Sequence, residues 1–248
     1  MGAVSYLNTK PLVYGFEKGM MQEEIVLTTD YPSRIAQKLL DDEIDIGLVP
    51  VAIIPRMKEA HITTDFCIGS NGPVASVCLF SDVPLENVEN ILLDYQSRTS
   101  VQLAKILLKE YWNLQPLLTD AKEDFREHIE GTTAGLVIGD RALEQRKKSA
   151  YIYDLGEAWK NMTGKSFLFA AWISNKKLPE HFIQAFNSAN QYGLSRLDEV
   201  VDSQSYSLYD LHKYYTENIS YQLDRNKKEG LNLFLEKIRE PLKSKAII

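Results

Sequence analysis

The residues best placed to do chemistry sit in polar turns that follow apolar, strand-like runs: Asn8-Thr9 in "VSYLNTKPL", residues 97–100 in "LDYQSRTS" and Asp140 in "VIGDRAL". In open α/β sheets, ligands bind in the crevice outside the carboxyl ends of the strands, so such turns are candidate sites as well as connectors. In the second turn, Ser97 or Thr99 can cap the helix that follows, and the backbone N–H groups at that terminus suit an anion. Arg98 adds a planar fork that suits a carboxylate. Asn8 is a neutral donor and acceptor able to orient a hydroxyl or carboxylate. With Pro11 placed for a first helical turn, however, Asn8 or Thr9 can equally be a plain cap. Asp140 reads first as the cap of a helix beginning at Arg141. Ser76, in "GPVASVCLFS", falls in an extended run on the face of Val74 and Cys78, where its hydroxyl either satisfies a backbone group or points into a cleft.

Other chemistries find no support. There is no GxSxG elbow, P-loop, GxGxxG or HExxH. The four histidines, His61, His128, His181 and His212, lie in segments that read as helix surface or loop, and none has metal-ligand spacing, so neither a metal nor a cofactor is expected. A net charge of −6 excludes a nucleic-acid partner, which needs concentrated Lys and Arg. The basic clusters at residues 146–148 and 225–228 are short, flanked by acids, and read as solvated surface. No stretch approaches the roughly 20 apolar residues of a membrane span, and the start lacks a charged-then-apolar leader, so the expected location is the cytoplasm, away from membranes. Cys67 and Cys78 form no CxxC pair and are expected as small buried side chains in a reducing compartment. Trp159 and Trp172 are core by default, with an aromatic-lined cleft as the alternative.

The turns need a frame, and strand-like and helix-like segments alternate through the first two thirds of the 248 residues. That alternation predicts an α/β fold with a largely parallel sheet. "EEIVLTTD", "IDIGLVP" and "ENILLD" read as strands, and "YPSRIAQKLLDDE" as a helix burying Ile35, Leu39 and Leu40. A further helix carries the stripe Ala104, Leu107, Leu108 and Tyr111. Two extended runs, residues 70–82 and 166–175, about ninety residues apart, read as crossings between lobes. The expected plan is lobe I from residues 1–76 and 173–248, lobe II from 77–172, a ligand cleft between them and the crossings as hinges. The tail is more helical, with one stripe at Phe182, Phe186 and Ala189 and another at Leu231, Phe234, Leu235 and Ile238, and residues 242–248 show no packing pattern.

The collection of motifs is more specific than its members. "VSYLNTKPL", "DIGLVPVA", "GPVASVCLFS", "LDYQSRTS", "VIGDRAL" and "DLGEAWKNMTGKSFLFAAW" occur in this order in the MqnA/MqnD family. The chain resembles its chorismate dehydratases, of the futalosine route to menaquinone, densely over residues 2–175 and more loosely through the tail. The resemblance implies a two-lobe fold of the type II periplasmic-binding-protein kind with two crossing hinge strands and an interlobe cleft. It implies a cytoplasmic enzyme that removes water from chorismate to give 3-[(1-carboxyvinyl)oxy]benzoate, with chorismate as its small-molecule partner. By the same resemblance, Asn8 of "SYLN" and Ser76 of "VASV" are expected at positions implicated in catalysis, and Ser97, Arg98, Thr99 and Ser100 of "SRTS" in the substrate-carboxylate site. Thr9 and Asp140, at the neighbouring strand ends, complete the substrate-binding candidates. Relatives carry a few more residues before Gly2, so the start is expected to be shortened, and Lys165-Ser166 stands where relatives often show Leu-Pro. Two alternatives stay open: the sister enzyme of the same pathway and fold, which makes 1,4-dihydroxy-6-naphthoate, and a non-catalytic cytoplasmic protein that binds an aromatic carboxylate.

Overall fold

The computed structural model describes the backbone of residues 1–244 and the side chains of residues 1–239. It divides into two units: unit 1 is Met1–Gly69 with Phe169–Leu223, and unit 2 is Ser70–Leu168 with Asp224–Ile248. Along the chain, unit 1 begins with β1 (Gly2–Val4), α1 (Lys10–Glu17), β2 (Thr28–Asp30), α2 (Pro32–Leu40), β3 (Ile46–Pro50) and β4 (His61–Ser70). Unit 2 follows with β5 (Val77–Ser81), β6 (Asn90–Leu93), α3 (Thr99–Glu110), β7 (Leu117–Asp120), β8 (Thr133–Ile138), α4 (Asp140–Gln145), β9 (Tyr151–Asp154) and α5 (Leu155–Thr163). The chain returns through β10 (Phe167–Ser174) and adds α6 (Glu180–Leu194), α7 (Leu197–Asp202), α8 (Leu211–Lys213) and β11 (Ser220–Gln222). It ends in α9 (Arg225–Ser244), which belongs to unit 2.

Each unit has its own sheet, and both sheets are mixed. Unit 1 orders its strands β11-β4-β10-β3-β1-β2, with β1 parallel to β2 and β3 while β10 runs antiparallel to β3. Unit 2 orders them β7-β6-β8-β5-β9, with β6 parallel to β7 and β8 while β5 runs antiparallel to β8 and β9. The expected parallel character thus holds for a trio in each sheet, with α1, α2 and α3 in the β1–β2, β2–β3 and β6–β7 connections and no α-helix between β7 and β8. The second strand is shorter than "EEIVLTTD" suggests, because Val26 is exposed and only Thr28–Asp30 pairs with β1.

In unit 1, Phe16, Trp172 and Phe186 form a ring cluster with centroids 4.7–6.3 Å apart, and the buried Trp172 indole donates to Asn190 Oδ1 at 2.9 Å. Trp159 and Trp172 are core residues, as expected by default: both are fully buried. Helices α1 and α6 touch backbone to backbone. A Cβ on Gly15 would sit 2.3 Å from the Ala189 carbonyl, and one on Gly193 would sit 2.0 Å from the Pro11 carbonyl, so only glycine fits either position.

Unit 2 holds Cys78, Phe80, Phe125, Val137 and Ala142 in one cluster and Trp159, Phe167 and Phe234 in another. Phe234 corrects the expected division of the tail. Leu231, Phe234 and Leu235 of its stripe on α9 are buried and Ile238 is half-buried, with the Phe234 ring against Trp159 and Phe167 at centroid distances of 6.4 and 5.1 Å. Residues 224–239 therefore pack into unit 2 and not into the lobe that begins the chain; periodicity reveals a buried face without naming the core that takes it. The first crossing also differs from expectation: β4 ends at Ser70, and residues 72–76 turn before β5 begins. The second expected crossing coincides with β10. Residues 245–248, in the segment without a packing pattern, lie outside the described residues.

Candidate functional site

Unit 1 contributes the turn at the carboxyl end of β1. Leu7–Thr9 is a single 3₁₀ turn, entered from Tyr6 in extended conformation and passing directly into α1 with Pro11 in its first turn. Neither Asn8 nor Thr9 supplies a side-chain cap; the Thr9 hydroxyl instead donates to Asn8 Oδ1 at 3.3 Å, and both residues are buried. The backbone of Asn8 is fixed from far along the chain. The Tyr221 hydroxyl donates to the Asn8 carbonyl at 2.9 Å. Burial pushes that phenol well above its ordinary value, and Tyr214 and Tyr215 push it further, so it stays a neutral donor.

Unit 2 gathers its candidates at one end of its sheet, where β6 and β8 finish and β5 begins. Asp94 organises the first part. Its buried carboxylate accepts from Gln96 N at 2.9 Å, from Ile138 N at 3.0 Å and from Arg141 Nη2 at 2.8 Å. The Arg141 guanidinium also lies over the Tyr95 ring, 5.2 Å from its centroid. Burial raises the Asp94 carboxyl above its ordinary value, with Arg141 and the backbone donors acting against that rise. Ser97 Oγ accepts from Ser100 N at 3.0 Å, so of the two cap candidates Ser97 caps α3. Thr99 and Ser100 are buried in its first turn, and Arg98 is half-buried. Asp140 is not a cap: α4 begins at Asp140 itself, and Gly139 occupies the cap position with φ +66° and ψ −149°, a conformation kept for glycine.

Ser76 departs most from expectation. It is not in a strand but at the end of a tight turn, because Ser76 N bonds back to the Val74 carbonyl at 2.8 Å around Ala75, whose φ is +63°. A three-residue turn with a left-handed centre is the rare, strained form. The Ser76 hydroxyl is buried, 3.5 Å from the Val74 carbonyl, and the Ser76 carbonyl accepts from Gly139 N at 2.8 Å. Ser76, residues 97–100 and Asp140 thus share one end of one sheet, while Asn8 and Thr9 belong to the other unit.

Several organising residues escaped the sequence reading. Asp94 and Arg141 lie inside quoted motifs without a role assigned, although an acid closing an apolar strand is a signal of a buried, bonded carboxylate. Asp154, at the end of β9, caps α5 through Oδ1, which accepts from Gly156 N and Glu157 N at 2.9 and 3.1 Å. Its local signal is an acid two residues before a glycine at a helix start. The Cys78 thiol, expected as a buried small side chain, is one: burial and then Asp154 raise it well above its ordinary value. Among the described residues no three His, Cys, Asp or Glu side chains gather as metal ligands, and no helix is long and apolar enough to cross a membrane.

The family described as "Menaquinone biosynthesis" matches residues 1–240. The chain belongs to that family. As a member of the menaquinone-biosynthesis family it is 27% identical to a Thermus thermophilus protein named chorismate dehydratase, over 97% of this chain and 95% of that one. A solved Archaeoglobus fulgidus protein superposes with a TM-score of 0.75 at 12% identity, covering 100% of this chain and 97% of the other. A Candida albicans protein, described as exhibiting the generic periplasmic binding protein structural fold, matches with a TM-score of 0.58 at 14% identity over 100% of this chain and 89% of that one. The family member described here therefore has the α/β, two-lobe fold of the periplasmic binding proteins.

Proposed function

We propose that this protein is a chorismate dehydratase, a hydro-lyase that converts chorismate to 3-[(1-carboxyvinyl)oxy]benzoate. The observation that carries the reading is the match to a relative of that name along almost the full length of both chains. The residues at the strand ends support it. The reaction breaks the C3–H bond, moves that electron pair into the ring and expels the C4 hydroxyl, so that one water leaves and an aromatic ring forms. Aromatisation supplies the drive, and the protein has to orient the substrate, stabilise charge and exclude competing reactions.

The proposed roles follow the side chains. Residues 97–100 at the first turn of α3, with Thr9 and Asp140 at the other strand ends, bind the polar groups and carboxylates of the substrate, as backbone N–H groups and hydroxyls at a helix start suit an anion. Asn8 and Ser76 position the reacting groups and assist the departing hydroxide. Neither is a base near neutral pH, and the enolpyruvyl carboxylate of the substrate itself takes the C3 proton.

The test is to mix the purified protein with chorismate and follow products by liquid chromatography and mass spectrometry against a no-enzyme control. The expected result is catalytic formation of chorismate minus water; saturable binding of chorismate without product would overturn the reading in favour of a binding protein. Asn8→Ala and Ser76→Ala are expected to lower kcat far more than they change KM. Near-normal turnover in both would remove their assigned roles.

A further inference from the structure

We propose that Asp154 is a positioning residue for Ser76: its carboxylate holds the strained turn that carries the serine and so sets where the Ser76 hydroxyl stands during turnover. The inference rests on the dehydratase reading above and deepens it.

The turn is held at nearly every backbone group. Val74 N donates to Asp154 Oδ1 at 3.0 Å and Ala75 N to Asp154 Oδ2 at 2.7 Å. Arg146 Nη1 donates to the Ala75 carbonyl at 3.2 Å, and Gly139 N closes on the Ser76 carbonyl. Left-handed backbone is unfavourable for a residue with a side chain and persists only where its surroundings impose it. Here the imposing groups come from β9 and the end of α4, and they converge on the residue immediately before Ser76.

Capping α5 does not account for this arrangement. One oxygen satisfies the helix start, because Oδ1 takes both Gly156 N and Glu157 N. A serine or asparagine would serve there equally well. The second oxygen is aimed away from the helix at Ala75 N, where it makes the shortest bond of the set, with the Cys78 thiol 3.7 Å away. Only a carboxylate presents acceptors on both sides; an amide would turn an NH₂ toward one set of donors.

That difference supplies the test. Asp154→Asn keeps a good cap for α5 and loses the bond to Ala75 N. In the purified full-length protein, kcat for chorismate is expected to fall on the order of 10²-fold, with KM within about threefold of wild type. Adding Ala75→Gly should recover part of the loss, about tenfold, because glycine takes a positive φ without being held there. Combined with Ser76→Ala, Asp154→Asn should cost less than about twofold further, since its effect passes through the serine. A lowered melting temperature with unchanged kcat, or losses that multiply in the double variant, would overturn the proposal. If Asp154→Asn does not fold, Arg146→Met removes the opposite hold on Ala75 and enters the same cycle with the same two outcomes. Failure of the functional reading is seen separately, as wild-type protein that yields no product, and it would overturn this inference as well.

Discussion

At Asn8 the chain keeps its place with neutral groups and ordinary backbone: a 3₁₀ turn, a helix with proline in its first turn, and one phenol donating to the Asn8 carbonyl. At Ser76 it does so with a carboxylate and a guanidinium gripping a backbone that would otherwise relax. The first turn follows from its own residues and is trimmed by a distant contact. The second is held by charged groups from distant parts of the chain. Two residues assigned to the same reaction are therefore expected to respond very differently when their supports are removed.

The largest difference should appear when Asp154 is truncated. Asp154→Ala leaves the donors of Val74, Ala75, Gly156 and Glu157 without their acceptor, and buried polar groups left unmatched cost about 1–3 kcal/mol each where no water replaces the partner. A loss of roughly 3–5 kcal/mol in urea unfolding is expected. A loss below about 1 kcal/mol would mean that the turn holds itself. Tyr221→Phe, the corresponding change at Asn8, removes a single neutral bond and should cost about 0.5–1.5 kcal/mol by the same measurement. If it costs as much as Asp154→Ala, the contrast between the two turns is gone.

The smallest effect, and the one that sharpens the contrast, is in the sign of the pH dependence. Burial raises the Asp154 carboxyl above its ordinary value despite its backbone donors. The folded state then holds that proton more readily than the unfolded chain, so this group's contribution to stability declines as pH rises from the ordinary carboxylate value through the raised folded one. Asp124 is the opposite case: bonds from Arg126 lower its carboxyl, so its contribution is present above the unfolded value and is lost as pH falls through the lower folded one. Denaturant unfolding at a series of pH values should therefore show the stability gap between wild type and Asp154→Asn shrinking as pH rises. The gap to Asp124→Asn should grow. Equal signs would show that Asp154 is a stabilised surface-type carboxylate and not a buried clamp.

What could be read from the string follows the same division. Pro11 announced α1, the apolar run 166–175 announced β10, and Ser97 was a correct cap candidate, because each signal is local. "PVASVCLF" offered no local sign of a turn. Its residues favour extended chain, and the left-handed φ at Ala75 is imposed by a carboxylate 79 positions away. Asp140 was misread as a cap because an acid at a strand end resembles one, whereas Gly139 had already made the turn. The α9 stripe was visible, but its destination was not, since Trp159 and Phe167 offer an aromatic surface that periodicity on another segment cannot specify.

The placement of α9 also governs the order in which the protein can be completed as it is made. Everything unit 1 needs has been synthesised by Leu223, although that unit contains the first residues of the chain. Unit 2, contiguous through its sheet, must wait for Phe234 before Trp159 and Phe167 are covered. Until Phe234 is in place, unit 2 keeps an open aromatic face at Trp159 and Phe167, which α9 then covers.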